Sequence, residues 1–186
     1  HLKLAHANNT LFAEILAAKD LNPTSIELST VPTLVDSLNT REAVQIVLTH
    51  LLGVMQANEP GIRNATDTEF LHDYRVAIRR ARSILGQIKH VFPEKTLDCF
   101  KQEFYWLSTI TGPVRDLDTY LLKFNEYMQE LPPGLQNNLI PFQRFLQRHW
   151  QKEHVRLNQA LSSKRYHKLI EEWERVLKNE NIQSHE

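Results

Sequence analysis

Helix-breaking residues in this chain are few and evenly placed: Pro60-Gly61, Pro93, Gly112-Pro113, Pro132-Pro133-Gly134 and Pro141. Between them lie stretches of roughly 18 to 30 residues whose apolar positions recur at helical spacing. No alternation is long enough to build a sheet. Five glycines among 186 residues also leave little for the turn-dense connections of an all-β fold. The pattern predicts an all-α chain of long antiparallel helices forming a four-helix bundle, with the start of a second bundle. Asn39 with Glu42 reads as a capping box opening a helix through Val44, Val47, Leu48, Leu51 and Leu52. Thr66 with Glu69 reads as a second box, opening a helix that runs to about Val91. Further helices are expected over Glu94 to about Ile110, Pro113 to about Glu130, Leu139 to Leu161 and Ser163 to Leu177.

Residues 1–38 differ. Leu11 to Lys19 suits a short helix, but Leu21 to Thr33 is rich in Pro, Ser and Thr. The segment reads as a linker or the tail of a preceding domain, and the helical domain is expected over 39–186. Lys plus Arg and Asp plus Glu each total 22, which excludes a globally basic nucleic-acid binder. The single cysteine, Cys99, excludes an intramolecular disulfide and a multi-cysteine zinc site. No apolar run approaches the ~18–20 residues of a membrane span, so no membrane partner is expected.

Charge is uneven on the helix opened at Thr66. At about 100° per residue, Phe70, Leu71, Tyr74, Ala77, Ile78, Ala81, Ile84, Leu85, Ile88 and Val91 share one broad arc, the core face. Opposite them, His72, Arg75, Arg79, Arg82 and Gly86 fall within about 80° of one another, with Arg80 to the side. Like charges three or four residues apart cost a helix about 0.2–0.5 kcal/mol per pair. The acids Asp67, Glu69 and Asp73 lie too near the helix start to neutralise Arg79 and Arg82. Compensation must come from outside the helix: solvent, carboxylates such as Asp116 or Asp118, or an anionic ligand. Guanidinium forks match phosphate oxygens bidentately and stay charged at any relevant pH. Protonated His72 can donate to the same anion, and Gly86 would permit close approach.

The string His72-Asp73-Tyr74-Arg75-Val76-Ala77-Ile78-Arg79-Arg80-Ala81-Arg82 resembles the hallmark of the conserved histidine α-helical domain (CHAD) family. That hallmark is His, two residues, Arg-Val, two residues, Arg-Arg, one residue, Arg. Two further family features have counterparts in Arg115-Asp116-Leu117-Asp118 and in Ser163-Lys164-Arg165-Tyr166. The lead-in Asn58-Glu59-Pro60-Gly61 resembles members in which the domain follows a triphosphate-tunnel (CYTH) domain. The resemblance, over roughly residues 37 to 186, implies a non-catalytic helical domain whose basic surface or pore binds inorganic polyphosphate. No cofactor and no metal site are implied, and the expected address is cytoplasmic, with polyphosphate granules. The family fold is two similar four-helix bundles about a pseudo-two-fold axis, each with its own histidine–arginine helix. This chain carries one such helix. The domain therefore reads as incomplete at its C-terminal end, or as completed by a second molecule in a homo-oligomer.

Other cations are candidates for the same ligand. Arg144 and Arg148, with Lys152, lie opposite Phe142, Leu146 and Trp150 and offer a second wall, or merely a solvated face. Arg115 is expected in a helix's first turn, where the macrodipole disfavours a cation by a few tenths of a kcal/mol. Asp116 is expected to pair with and orient an arginine of the Thr66 helix. Arg165 and Lys168 are candidates for the far end of the groove. Nucleic acid or another phosphate ligand is the main rival reading, although no recognition module is visible. Histidine-based metal chelation is a second, but His149 and His154 stand about 140° apart on a helix, and no histidine pair shows i, i+4 spacing. No nucleophile–base pair can be assigned, so an enzyme is not expected.

Overall fold

The computed structural model describes Pro32, Leu34 and residues 37–88 and 91–178. The expected helix at Leu11–Lys19, and all of the expected linker or tail except Pro32, Leu34, Ser37 and Leu38, lie outside these residues. All regular structure among the described residues is helical: α1 (Thr40–Arg63), α2 (Thr68–Gln87), α3 (Glu94–Gln129), the one-turn α4 (Pro133–Gln136), a 3-10 turn (Asn137–Leu139), α5 (Ile140–Leu161) and α6 (Lys164–Lys178). The all-α architecture of long helices is as the sequence predicts. Three boundaries and one helix count are not. One of the three is the end of α2, which stops at Gln87 rather than about Val91 because Ile88 is already extended.

α1 opens on the expected capping box. Asn39 Oδ1 accepts the Glu42 N–H at 3.0 Å, and the Glu42 carboxylate accepts the Asn39 N–H at 2.9 Å. The helix does not stop at Pro60-Gly61. It runs on to Arg63 and closes with Thr66 N–H donating to Gly61 O and Ala65 N–H to Ile62 O, the paired bonds of a Schellman motif. Ala65 supplies the required left-handed residue, at φ 51°. Thr66 is thereby spent on ending α1, so the expected Thr66/Glu69 box does not form. The cap of α2 moves to Asp67, whose side chain accepts the Glu69 N–H at 2.9 Å. The lead-in Asn58–Gly61 is therefore helix, with Asn58 buried and its amide donating to Val54 O at 2.8 Å.

Gly61 is required by close approach. A Cβ there would lie 2.2–2.5 Å from the Phe70 ring, and both sit where α1 turns into α2. Gly61→Ala is expected to lower unfolding stability by about 1–3 kcal/mol, measured by urea denaturation. A change under about 0.5 kcal/mol would show that Phe70 moves aside freely.

The larger correction is α3. The two helices expected on either side of Gly112-Pro113 are one helix of 36 residues, about 54 Å long. An interior proline costs a helix about 3 kcal/mol, so something must outweigh it. Burial does: Leu107 and Thr111 (both 0% exposed) and Val114 (2%) bracket an exposed Pro113 and continue the core across it. Three hydroxyls also bind back along this stretch: Ser108 to Phe104 O, Thr109 to Tyr105 O and Thr111 to Leu107 O.

Sequential helices pack side by side, α1 on α2 and α2 on the first half of α3, with α6 closing against α1 and α3. Leu48, Met55, Tyr74, Phe104 and Trp173 are among the fully buried residues of this shared core. The second half of α3 pairs with α5, where Phe124 and Leu146 are buried. Helices α1 and α5 cap one another. His154 Nε2 meets Ile62 O at 2.8 Å and the Asn158 amide donates to Arg63 O at 3.1 Å, while Arg63 donates to Leu161 O and Ser162 Oγ, each at 2.7 Å. Carbonyls left orphaned at helix ends are satisfied in this way. A buried polar chain ties α2, α6 and α1: Tyr74 Oη donates to Tyr166 Oη, which donates to Glu59 Oε2 at 2.6 Å. Burial pushes both phenols above the ordinary tyrosine range.

Candidate anion-binding groove

The core face of α2 falls where the periodicity puts it, and this fixes what the other face can do. With Leu71, Tyr74, Ala77, Ile78, Ala81 and Leu85 buried, Arg75, Arg79 and Arg82 line a groove against α3. Its cavity is ≈ 120 Å³ and is completed by Ile78, Ser108 and Thr111. Arg75 lies deepest. Its Nη1 donates to Ser108 O at 3.0 Å and to Thr111 Oγ1 at 2.8 Å. A Cβ at Gly112 would make only ordinary contact with this guanidinium, 3.6 Å from Nη1. Arg82 Nη1 donates to Ser108 Oγ at 3.1 Å, and its guanidinium stands over the Tyr105 ring, 5.4 Å from the centroid. Arg79 is exposed between them.

None of the three guanidiniums forms an ion pair with a described carboxylate. The partners described for Arg75 and Arg82 are a carbonyl, two hydroxyls and a ring, all neutral. Desolvation lowers the pKa of Arg75 from its ordinary value; the charge of Asp116 opposes this, and Arg115 and Arg79 add to it. A guanidinium remains cationic even so. The groove is a concentrated positive site with no described carboxylate to neutralise it at contact.

The remaining candidates are dispersed. His72 does not line the groove. It stands with Glu69 and Asp73, their ligand-capable atoms within 4.8 Å of one another, so an anion at His72 would meet two carboxylates. A search for histidine pairs or carboxylate clusters overlooks this mixed trio. Arg80 is exposed outside the groove lining. Arg115 is mid-helix, not in a first turn, so the macrodipole argument lapses; it donates to Thr68 O at 3.4 Å and lies 3.9 Å from Glu69. Arg144 and Arg148 are exposed on α5, outside the groove lining. Arg165 is engaged by both oxygens of Glu103, at 2.8 and 3.1 Å, and lies over Trp106. Lys168 faces Glu172 at 3.7 Å.

Asp116 forms no ion pair with an arginine of α2; it is exposed and acts on Arg75 only through its field. The buried acid of that motif is Asp118. It accepts the Trp150 indole N–H at Oδ1, and burial holds its pKa above the usual carboxylate range. Its task is joining α3 to α5. Ser108 and Thr111, which hold the arginines, have almost no signature in the sequence; their only signal is a position within a turn of Gly112-Pro113, on the helix that faces α2. The Gly86 surface is open, since a Cβ added there would meet nothing within 4 Å, so no packing demand explains that glycine.

A family model, CHAD domain, matches residues 46–186. The chain belongs to the CHAD family. Among solved structures it is similar to the crystal structure of the CHAD domain from the plant Ricinus communis, at TM-score 0.67 and 26% identity. That match covers 80% of this chain and 49% of the other, so this CHAD chain spans about half the length of that relative. A comparison with curated proteins finds no match. Among the described residues, no helix of this CHAD chain is long and apolar enough to cross a membrane.

Proposed function

We propose that the groove between α2 and α3 binds inorganic polyphosphate, or a chemically similar polyanion, without catalysing its cleavage. The observation that carries this reading is that Arg75, Arg79 and Arg82 share one groove with no described carboxylate paired to any of them. They climb α2 over about 10 Å, which suits a linear anion bearing about one charge per phosphate better than a compact one. The lining offers guanidiniums and hydroxyls, groups that bind and orient oxyanions and exchange no proton near neutral pH. Family membership supports the same ligand class, and a cytoplasmic setting with access to polyphosphate follows from this reading.

Titration of the purified chain with long-chain polyphosphate at several salt concentrations tests it. By analogy with single-stranded nucleic acid, about 0.7 counterion is released per phosphate contact, so three contacts give a log–log slope near −2. Binding that is absent at low salt, or insensitive to salt, would sink the proposal. Intact polyphosphate recovered after prolonged incubation is the expected companion result.

A further inference from the structure

The groove is not uniform along its length, and a uniform polymer gives no reason for the difference. At the Arg75 end the lining is polar and half-buried, with Ser108 O and Thr111 Oγ1 against the guanidinium. At the Arg82 end stands Tyr105, 62% exposed, its ring beside the guanidinium. One turn beyond Arg82, Gly86 leaves the surface bare. The face of an exposed phenol ring offers no attraction to phosphate, since its π-system is negative there, although its hydroxyl can donate to one. It does offer a stacking surface, and the partners described for Arg82 there are neutral, so it can turn to a phosphate.

We propose that this groove accepts nucleoside triphosphates, with the base stacked on Tyr105 at the open Gly86 end and the phosphate chain running past Arg82 and Arg79 toward Arg75. The inference rests on the anion-binding reading above and adds the base to it. Three phosphates are matched in number by three guanidiniums, and the aromatic platform lies at the end where a nucleoside would emerge. Base–aromatic stacking contributes about 1–3 kcal/mol per base, which corresponds to roughly 5- to 150-fold in affinity.

The test compares ATP with inorganic tripolyphosphate on the wild-type chain and on Tyr105→Leu and Tyr105→Trp, by calorimetry at fixed magnesium and salt. Tyr105→Leu is expected to weaken ATP at least about fivefold while leaving tripolyphosphate within about twofold. Tyr105→Trp is expected to retain ATP affinity. If Tyr105→Leu leaves ATP unchanged, or weakens both ligands equally, the base site is overturned and the anion site stands. If neither ligand binds the wild type, both fall. Unaltered melting of the two variants confirms that an exposed position has been changed without unfolding the bundle.

Discussion

Trp173→Ala lowers the unfolding free energy by about 3–5 kcal/mol, the range for truncating a large aromatic in a packed core. The side chain is 1% exposed. Its ring is surrounded by Phe100 at 4.3 Å, Phe104 at 5.3 Å and Phe92 at 6.2 Å between centroids, so three aromatic contacts disappear together and leave a cavity that rigid neighbours cannot fill. The loss bears on one element above all. α6 has only 15 residues, too short to persist without tertiary packing, and it docks through Tyr166, Leu169, Trp173 and Leu177. Against a typical total of 5–15 kcal/mol, the melting temperature should fall by at least about 6 °C. Phe142→Ala is the control: at 50% exposure its loss should cost less than about 1 kcal/mol. Equal effects from the two variants would mean that the Phe100–Trp173 cluster does not organise the bundle.

α6 is legible in the sequence and α3 is not, for a physical reason. The apolar spacing of α6 and α2 reports burial directly, and burial decides both helices. At Gly112-Pro113 the local signal points the other way: proline penalises a helix interior, and only the partners of Leu107, Thr111 and Val114 on other elements reverse that preference. Those partners are distant in sequence. The same limit applies at Thr66, where two adjacent residues are both good caps and the choice of Asp67 depends on how α1 ends. In the site, the α2 stripe is legible because its three arginines share one face of one helix. The wider set is not. Arg165 looks like Arg79 in a sequence, but Glu103, 62 positions away, closes on its guanidinium. Asp116 and Asp118 likewise differ by two residues and by which side of α3 meets Trp150. Pairing between helices, not residue type, decides which cations stay available.

That distinction sets the largest expected functional effect. The combined variant Arg75→Ala/Arg79→Ala/Arg82→Ala should weaken polyphosphate binding at least about 100-fold, since charge-assisted hydrogen bonds contribute about 1.5–3 kcal/mol each and exposure discounts part of that. The salt slope should shrink by about 2 in the same experiment, which identifies the lost term as electrostatic. Single variants separate the roles. Arg79→Ala and Arg82→Ala should weaken binding with melting unchanged. Arg75→Ala should in addition lose about 1 kcal/mol of stability, because its guanidinium also joins α2 to Ser108 O and Thr111 Oγ1. Arg144→Ala/Arg148→Ala removes two cations from α5 and serves as the comparison. If net charge alone attracted the polyanion, this pair would lower affinity in proportion to the charge removed. If the groove holds it, the pair should change affinity by less than about threefold, and a loss equal to that of the triple variant would move the site from α2 to α5.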